Sequence, residues 1–217
     1  MNLFDGFDPI RVLGMVLALL IAVIGHEIMH GAAAYMFGDS TAKKQGRLSL
    51  NPIRHIDPLG TIVLPLLLLF SGANFLFGWA KPVPIDVRRV LERGNGAMVV
   101  VSLAGVAFNL FAAFLAANLL DMLFSADGEP NLLFFLLLYL VIWNVVLAVF
   151  NLLPVPPLDG ANALAYIASG FGFYGVARVF NRIGAYGFII LALILLTDLK
   201  IPLIMAMRSL IDLMIGG

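Results

Sequence analysis

The chain has 217 residues, of which 62% are hydrophobic and only 12% are charged, and its mean hydropathy is +1.03. Soluble domains are about half apolar and about one-quarter charged, so the composition predicts an integral membrane protein and excludes an ordinary soluble domain. The 13 basic and 13 acidic residues balance, which indicates no nucleic-acid partner, and the absence of cysteine excludes a disulfide framework and a thiolate zinc site.

The first predicted helix runs from about residue 10 to residue 37, which is long enough to cross a bilayer. Its start lacks a basic region and a small-residue cleavage site, so we do not expect a removable signal peptide. Near its end the apolar run is interrupted by Gly25-His26-Glu27-Ile28-Met29-His30. Titratable groups at membrane depth are costly and are usually retained for function.

His26 and His30 are separated by one helical turn, and Glu27 directly follows the first of them. This H-E-x-x-H spacing places both imidazoles on one face of a helix, as zinc chelation requires. In a soluble helix the same pattern is often only a polar face, but here it interrupts an apolar span. The motif therefore predicts a metal site to which this helix contributes two ligands.

Two loops rich in Lys and Arg follow, at 39–57 and 78–96, and we expect short extended stretches within 39–57 and at 78–86. In the second loop, Lys81-Pro82-Val83-Pro84 should be extended because a residue that precedes proline avoids the helical region. Between the two loops lie the apolar residues 58–77, which contain glycine and proline. This segment either spans the membrane or enters it and returns.

The charges of the loops favour the second topology. Short loops rich in Lys and Arg lie in the cytoplasm, but a spanning segment at 58–77 would put the two basic loops on opposite faces. A re-entrant segment places both on one face and leaves the acidic connection 121–131 on the other. Re-entrant backbone is tolerated where protein or a water-filled cavity covers it. We therefore expect the N-terminus outside and the site nearer the cytoplasmic face.

The later apolar stretches lie at 97–124, 132–153, 183–197 and 201–215. The predicted fold is an all-α integral membrane protein with about five to six membrane segments, one of them possibly re-entrant at 58–77. We treat residues 1–217 as a single polytopic domain, with a core at about 10–165 and C-terminal helices within 171–217.

A third metal ligand is predicted where the fourth apolar stretch breaks, in Asn151-Leu152-Leu153-Pro154-Val155-Pro156-Pro157-Leu158-Asp159-Gly160. A catalytic zinc site usually has three protein ligands and one open position. The prolines end the helix, and Gly160 allows the backbone to approach a neighbour closely. Asp159 is the candidate ligand. The alternative is that Asp159 only caps the helix that starts at Gly160.

These motifs resemble those of the site-2 protease family of intramembrane zinc metalloproteases, in the short branch that lacks PDZ and CBS domains. The resemblance covers most of residues 20–165 and rests on H-E-I-M-H at 26–30 and on N-L-L-P-V-P-P-L-D-G at 151–160. Further matching segments are Gly38-Asp39-Ser40-Thr41-Ala42, Gly46-Arg47-Leu48, Leu50-Asn51-Pro52, His55-Ile56-Asp57-Pro58-Leu59-Gly60 and Gly78-Trp79-Ala80-Lys81-Pro82-Val83-Pro84.

The resemblance implies that one Zn²⁺ ion is held by His26, His30 and Asp159. It also implies that Glu27 is the catalytic acid and base, moving a proton from water to the leaving amine. Asn151 matches a family asparagine near the metal, which would stabilise the developing oxyanion. The alternative for Asn151 is a hydrogen bond between helices.

Three other residues carry weaker expectations. We interpret Asn109 as a helix-to-helix hydrogen-bonding residue and His55 as part of an interfacial loop. Val106 follows Gly105, where relatives often have proline, so the local helix shape is expected to differ from theirs.

The implied activity is hydrolysis of peptide bonds within or near the transmembrane segments of membrane proteins, in regulated intramembrane proteolysis or clearance of signal-peptide remnants. The implied partners are a transmembrane protein or peptide substrate and the lipid bilayer, in the plasma membrane of a prokaryote; the sequence does not indicate an oligomeric state. The rivals are a non-hydrolytic membrane zinc-binding protein or metal transporter, and a silent relative that acts as a chaperone or adaptor. A transporter needs several ligand sites along a path, whereas the chain has 3 histidines.

Overall fold

A computed structural model describes residues 8–63, 67, 70, 78–124, 130–184 and 186–216. All regular secondary structure in these residues is helical, which confirms the all-α prediction for this part of the chain. The α-helices are α1 (Pro9–Met36), α2 (Thr41–Lys44), α3 (Val87–Leu91), α4 (Asn95–Leu123), α5 (Leu132–Asn151), α6 (Asp159–Gly170), α7 (Tyr174–Gly184), α8 (Gly187–Leu196) and α9 (Lys200–Ile215). Two short helical turns of other types lie at Pro52–His55 and Pro58–Val63.

The centre of the fold is a bundle in which α1, α4 and α5 each pack against the other two. Small side chains make up much of the contact surface, and they allow helices to approach closely without large buried side chains. One group of buried residues joins α1, α3 and α4: Ala33, Ala34, Val90, Ala97, Met98, Val101 and Ala104. A second group joins α4 and α5: Ala113, Ala116, Ala117, Leu120, Leu137, Val141 and Val145.

The helix α1 starts at Pro9. Proline suits this position because the N–H that it lacks would have no partner within the first turn of a helix. The carboxylate of Asp8 accepts a hydrogen bond from the N–H of Ile10 at 2.9 Å and so caps this end. The helix then continues without a break through His26 and His30. The predicted first segment is confirmed.

Three helices are long and apolar enough to cross a membrane, namely α1, α4 and α5. The helices α7 and α8 add a fourth candidate if the pair, bent by 75°, forms one broken span. These helices fit a membrane protein, but the predicted count of five to six segments is not confirmed by the described residues. The predicted stretch 183–197 divides between α7 and α8 instead of forming one helix.

Described residues near the two ends of the apolar segment 58–77 lie in contact. The carbonyl of Gly60 accepts a hydrogen bond from the N–H of Trp79 at 3.2 Å, and the hydroxyl of Thr61 donates to the carbonyl of Trp79 at 2.8 Å. A single crossing would separate such flanking residues by about 30 Å, so their contact is the arrangement that the re-entrant prediction requires. Most of the path from 64 to 77 lies outside the described residues, and entry into the bilayer stays a prediction.

The two basic loops differ in conformation. The 39–57 loop is not simply extended, because it contains α2 and the turn at Pro52–His55, where the side chain of Asn51 accepts a hydrogen bond from the N–H of Ile53. Residues 78–86 contain no helix, as their prolines predict. We call residues 78–86 the strap, because they connect by hydrogen bonds to both the 39–57 loop and α1.

The helix α6 packs against α4 and begins at Asp159. A methyl group at Gly160 would collide with the carbonyl oxygen of Leu152, the residue that ends α5. The predicted close approach at Gly160 is therefore confirmed. This contact turns the chain back after α5 and brings the first residue of α6 toward α1.

Candidate metal centre

The two histidines of α1 face α4, in the interior of the bundle. His26 is 7% exposed and His30 is 8% exposed. A Cβ atom at Gly105 of α4 would lie 2.6 Å from the ring of His26 and 2.6 Å from Nε2 of His30. Gly105 therefore makes the space that the two imidazoles occupy, because any larger residue would collide with both rings.

The carboxylate of Asp159 completes a triangle of possible ligand atoms. Its Oδ2 atom lies 3.1 Å from His26 Nε2 and 3.3 Å from His30 Nε2, and the two Nε2 atoms are 3.0 Å apart. Asp159 is the first residue of α6 and Leu158 occupies the N-cap, so Asp159 is not at the position that the capping alternative requires. The geometry thus favours the ligand interpretation of Asp159 over the capping one.

A network of two asparagines sets the orientation of His26. The amide nitrogen of Asn144 donates a hydrogen bond to Leu140 O at 2.8 Å, and the amide nitrogen of Asn109 donates one to Ala22 O at 3.2 Å. A backbone carbonyl can only accept, so these bonds fix which end of each amide is the nitrogen. The amide of Asn109 also donates to Asn144 Oδ1 at 2.7 Å. Asn109 Oδ1 is therefore left to accept a hydrogen bond from His26 Nδ1. Both asparagines are 0% exposed.

His30 is held in the same tautomer by a backbone group. Its Nδ1 donates to the carbonyl of Val101 at 2.7 Å. With the proton of each ring on Nδ1, the neutral form of each imidazole, which is the form that binds a metal, has its lone pair on Nε2. Asp159 Oδ2 is buried, and its neighbours at salt-bridge distance are these two Nε2 atoms.

In the neutral form of both rings, three electron-pair donors converge on one point, and a metal cation between them would offset their mutual repulsion. In a tetrahedral zinc site with bonds of about 2.0–2.1 Å, neighbouring ligand atoms are about 3.3 Å apart. The distances of 3.0 to 3.3 Å between His26 Nε2, His30 Nε2 and Asp159 Oδ2 match this spacing. Two imidazoles and one carboxylate are also a ligand set that zinc accepts at catalytic sites, so these residues fit a zinc ion.

Replacement of Asn109 with leucine should weaken zinc binding by about 10- to 100-fold, the usual cost of removing a group that orients a metal ligand. Leucine is similar in size but cannot hold the proton on Nδ1 of His26. The measurement is zinc affinity by competition with a chelator. The control is Asn118→Leu in the same helix, where the exposed amide donates to its own helix at Phe114 O. Equal affinities in the two variants would contradict the orienting role of Asn109.

Glu27 lies beside the triangle and is held by the strap. Its Oε2 atom accepts a hydrogen bond from the N–H of Val83 at 2.8 Å. No described residue donates to its other oxygen, Oε1. Glu27 also lines a cavity of about 670 Å³ that contains His26, His30 and Asp159. One carboxylate oxygen is thus fixed, and the other is available to a molecule in the cavity.

Asn151 lines the same cavity, and its amide nitrogen donates one hydrogen bond to Leu147 O at 3.0 Å. His55 is not among the cavity residues. Its Nε2 pairs with Ser49 O at 2.8 Å, and its carbonyl accepts the N–H of Lys81 at 2.9 Å. His55 therefore holds the 39–57 loop to the strap.

The sequence interpretation missed the contact of Asn109 with His26. Asn109 does join helices, as expected, but it joins them through a metal-site histidine. The signal in the sequence was two asparagines, Asn109 and Asn144, each within an apolar span. A polar group at such a position is costly and calls for a partner.

Comparison with known proteins identifies relatives over most of the chain. The protein named "Putative zinc metalloprotease YwhC" of Bacillus subtilis (strain 168) is 42% identical over 191 residues, covering 85% of this chain and 81% of YwhC. "Putative zinc metalloprotease Rip2" of Mycolicibacterium smegmatis is 32% identical over 164 residues, covering 72% of this chain and 61% of that protein. The Rip2 of Mycobacterium tuberculosis H37Rv is 34% identical, covering 67% of this chain and 53% of its own length.

No family model and no solved structure matches the chain. The relatives nevertheless decide its family, since the similarity to YwhC extends over most of both proteins. The names of the relatives specify a zinc metalloprotease, and the three donor atoms described above fit zinc. This chain therefore belongs to the site-2 protease family of zinc metalloproteases.

Proposed function

We propose that this protein is an intramembrane zinc endopeptidase, with one Zn²⁺ held by His26, His30 and Asp159. The observation that carries the proposal is the convergence of three lone-pair donors beside Glu27, inside a bundle of apolar helices. Zinc supplies Lewis-acid activation of water and of a carbonyl group near neutral pH. The remaining chemistry belongs to side chains of this chain.

Glu27 serves as general base and then as general acid. Its carboxylate takes a proton from the water whose oxygen attacks the scissile carbonyl carbon, and it gives that proton to the amine nitrogen when the C–N bond breaks. The hydrogen bond from Val83 N–H to Oε2 supports this role, because it restrains the carboxylate while leaving Oε1 accessible. Fixed geometry of this kind lowers the entropic cost of proton transfer.

Asn151 assists at the carbonyl oxygen. Its amide nitrogen uses one N–H for the bond to Leu147 O and retains a second. In this proposal the second N–H donates to the scissile carbonyl oxygen as negative charge develops there. Its place in the lining of the cavity that contains Asp159 supports the assignment.

The substrate is an apolar segment of a membrane protein or peptide, such as a regulated single-span protein or a signal-peptide remnant. Much of the cavity is lined by apolar side chains: Val23, Met98, Val101, Leu147, Phe150 and Leu191. These residues suit an apolar chain that has unwound locally, because the carbonyls of an intact helix are already paired. We place the multi-pass protein in the plasma membrane of a prokaryote, with the N-terminus outside and the site nearer the cytoplasm.

A transporter or a zinc-binding scaffold is the weaker proposal. A transport path needs successive ligand groups, whereas within the described parts of the chain the cluster of His26, His30 and Asp159 is the one group of three or more possible ligands. A scaffold would not require a carboxylate fixed beside that cluster, as Glu27 is.

The substrate class can be tested with purified protein in lipid. A panel of single-span proteins and signal-peptide remnants should be cut within or near the apolar segment, and mass spectrometry of the products gives the position. A soluble peptide with the same residues around the cut, but without the apolar segment, should be cut much more slowly. Equal cleavage of the soluble peptide would contradict the intramembrane assignment.

A further inference from the structure

We propose that Asp39 and Arg47 form a clamp that positions the strap so that Val83 N–H reaches Glu27. This inference rests on the proposed catalytic role of Glu27 and goes beyond it, because it assigns positioning residues outside the cavity. Neither residue touches the metal ligands in any described hydrogen bond. Both lie in the 39–57 loop, in two of the segments that carry the family resemblance but to which the sequence assigns no role.

The two residues are buried charges of opposite sign that do not pair with each other. Asp39 is 0% exposed and Arg47 is 6% exposed. Burying a charge is unfavourable unless hydrogen bonds or an opposite charge compensate for it. Within the described residues, neither charge forms an ion pair at salt-bridge distance. Such a costly arrangement calls for an explanation.

Both charged side chains form hydrogen bonds with the backbone of the strap. The guanidinium Nη2 of Arg47 donates to the carbonyls of Lys81 and Pro82. On the other side, Asp39 Oδ2 accepts the N–H of Asp86 at 2.7 Å. The strap is therefore held by hydrogen bonds on both sides of Val83, whose N–H donates to Glu27.

The hydrogen bond from Asp86 N–H to Asp39 is strongest when the Asp39 carboxylate is ionised. Burial raises the pKa of Asp39, but hydrogen bonds from Thr41 and from Asp86 N–H, together with nearby Arg89, lower the pKa below its ordinary value. Thr41 supplies two of these bonds to Oδ1, from its N–H and from its hydroxyl, which leaves Oδ2 for Asp86. The aspartate is thus fixed at the end of α1 and aimed at the strap.

Prolines make the strap depend on such external anchors. Pro82 and Pro84 flank Val83 and have no N–H, so this stretch cannot be held by regular backbone pairing. The N–H of Lys81 is bonded to His55 O at 2.9 Å. The N–H of Val83, which lies between the two prolines, donates to Glu27. Its position depends on the carbonyls of Lys81 and Pro82, which Arg47 holds.

The test is a double-mutant cycle between Arg47→Ala and Val83→Pro in the full-length protein, with cleavage of a single-span substrate. Val83→Pro removes the N–H that Glu27 accepts. We expect each single variant to lower kcat by about 10- to 100-fold, the scale of a small misplacement of a catalytic group, with KM and zinc content near the wild-type values. The double variant should be no slower than the slower single variant, because both changes remove one interaction.

The matched control is Arg54→Ala, which removes an exposed arginine of the same loop that donates to Gly46 O and should leave kcat unchanged. Arg47→Lys should recover part of the activity, because an ammonium group can still donate to a carbonyl. If Arg47→Ala does not fold, the cycle is run with Arg47→Lys. Loss of zinc from a folded variant, or full additivity of the two changes, would indicate a purely structural role, and either result overturns the proposal.

Glu27→Gln, measured in the same assay, distinguishes failure of the clamp proposal from failure of the proposed function. If Glu27→Gln is inactive while Arg47→Ala cleaves at the wild-type rate, the clamp is wrong and the proposed function stands. If Glu27→Gln cleaves normally, the proposed function fails.

Discussion

Replacement of Glu27 with glutamine should slow peptide cleavage by about 100- to 10,000-fold, the range that positioned general acid–base groups contribute, and bound zinc should remain at the wild-type level. Glutamine has nearly the same shape, and its amide oxygen can still accept the hydrogen bond from Val83 N–H. It cannot take a proton from water. The variant therefore removes proton transfer while keeping the contact with the strap.

Two measurements on each preparation decide this prediction: the initial rate of substrate cleavage and the zinc content. The control is Glu92→Gln, the same change at an exposed glutamate outside the cavity, which should leave both values unchanged. Glu27→Ala should be at least as slow and should also release the strap. Cleavage by Glu27→Gln at the wild-type rate would remove Glu27 from the mechanism.

Replacement of Asp159 with alanine should abolish both zinc binding and cleavage. The change removes one of the three possible ligand atoms and the only carboxylate among them, leaving two imidazoles. The affinity should fall by more than the roughly 10- to 100-fold that is typical when only an orienting group is lost. Zinc content after dialysis against a weak chelator is the measurement, with cleavage as the second value.

The control for Asp159 is Asp212→Ala, which removes an exposed acid from α9. Because Asp159 also lies in the first turn of α6, its loss costs up to about 1 kcal/mol of helix stability. Thermal unfolding of the metal-free proteins separates that small effect from the loss of the ligand. Full zinc content in Asp159→Ala would exclude Asp159 from the ligand set.

Much of the metal site could be predicted from local pattern. H-E-x-x-H on a long apolar helix brought His26 and His30 to one face, and the proline-rich end of α5 with Gly160 pointed to Asp159. These predictions depend on helical spacing and on the steric properties of proline and glycine, which act over a few residues. The structure brings the three side chains together, as expected.

The residues that orient the site could not be predicted in the same way. Asn109 is 83 positions from His26 and 35 from Asn144, and nothing local in the sequence specifies that they meet. Asp39 and Arg47 lie in a polar loop whose sequence does not specify their burial, yet both are buried. Both lie where the strap packs against the 39–57 loop, a contact between residues far apart in the sequence.

The most direct test of the account is to add zinc stepwise to metal-free wild type and to metal-free Glu27→Gln while following cleavage of one single-span substrate. The wild type should be inactive without zinc, should gain activity in proportion to the zinc added, and should reach a plateau at one equivalent per chain. Glu27→Gln should bind the same equivalent and stay inactive. A metal-free wild type that cleaves as fast as the zinc-loaded protein, or a Glu27→Gln variant that gains activity with zinc, would contradict the account.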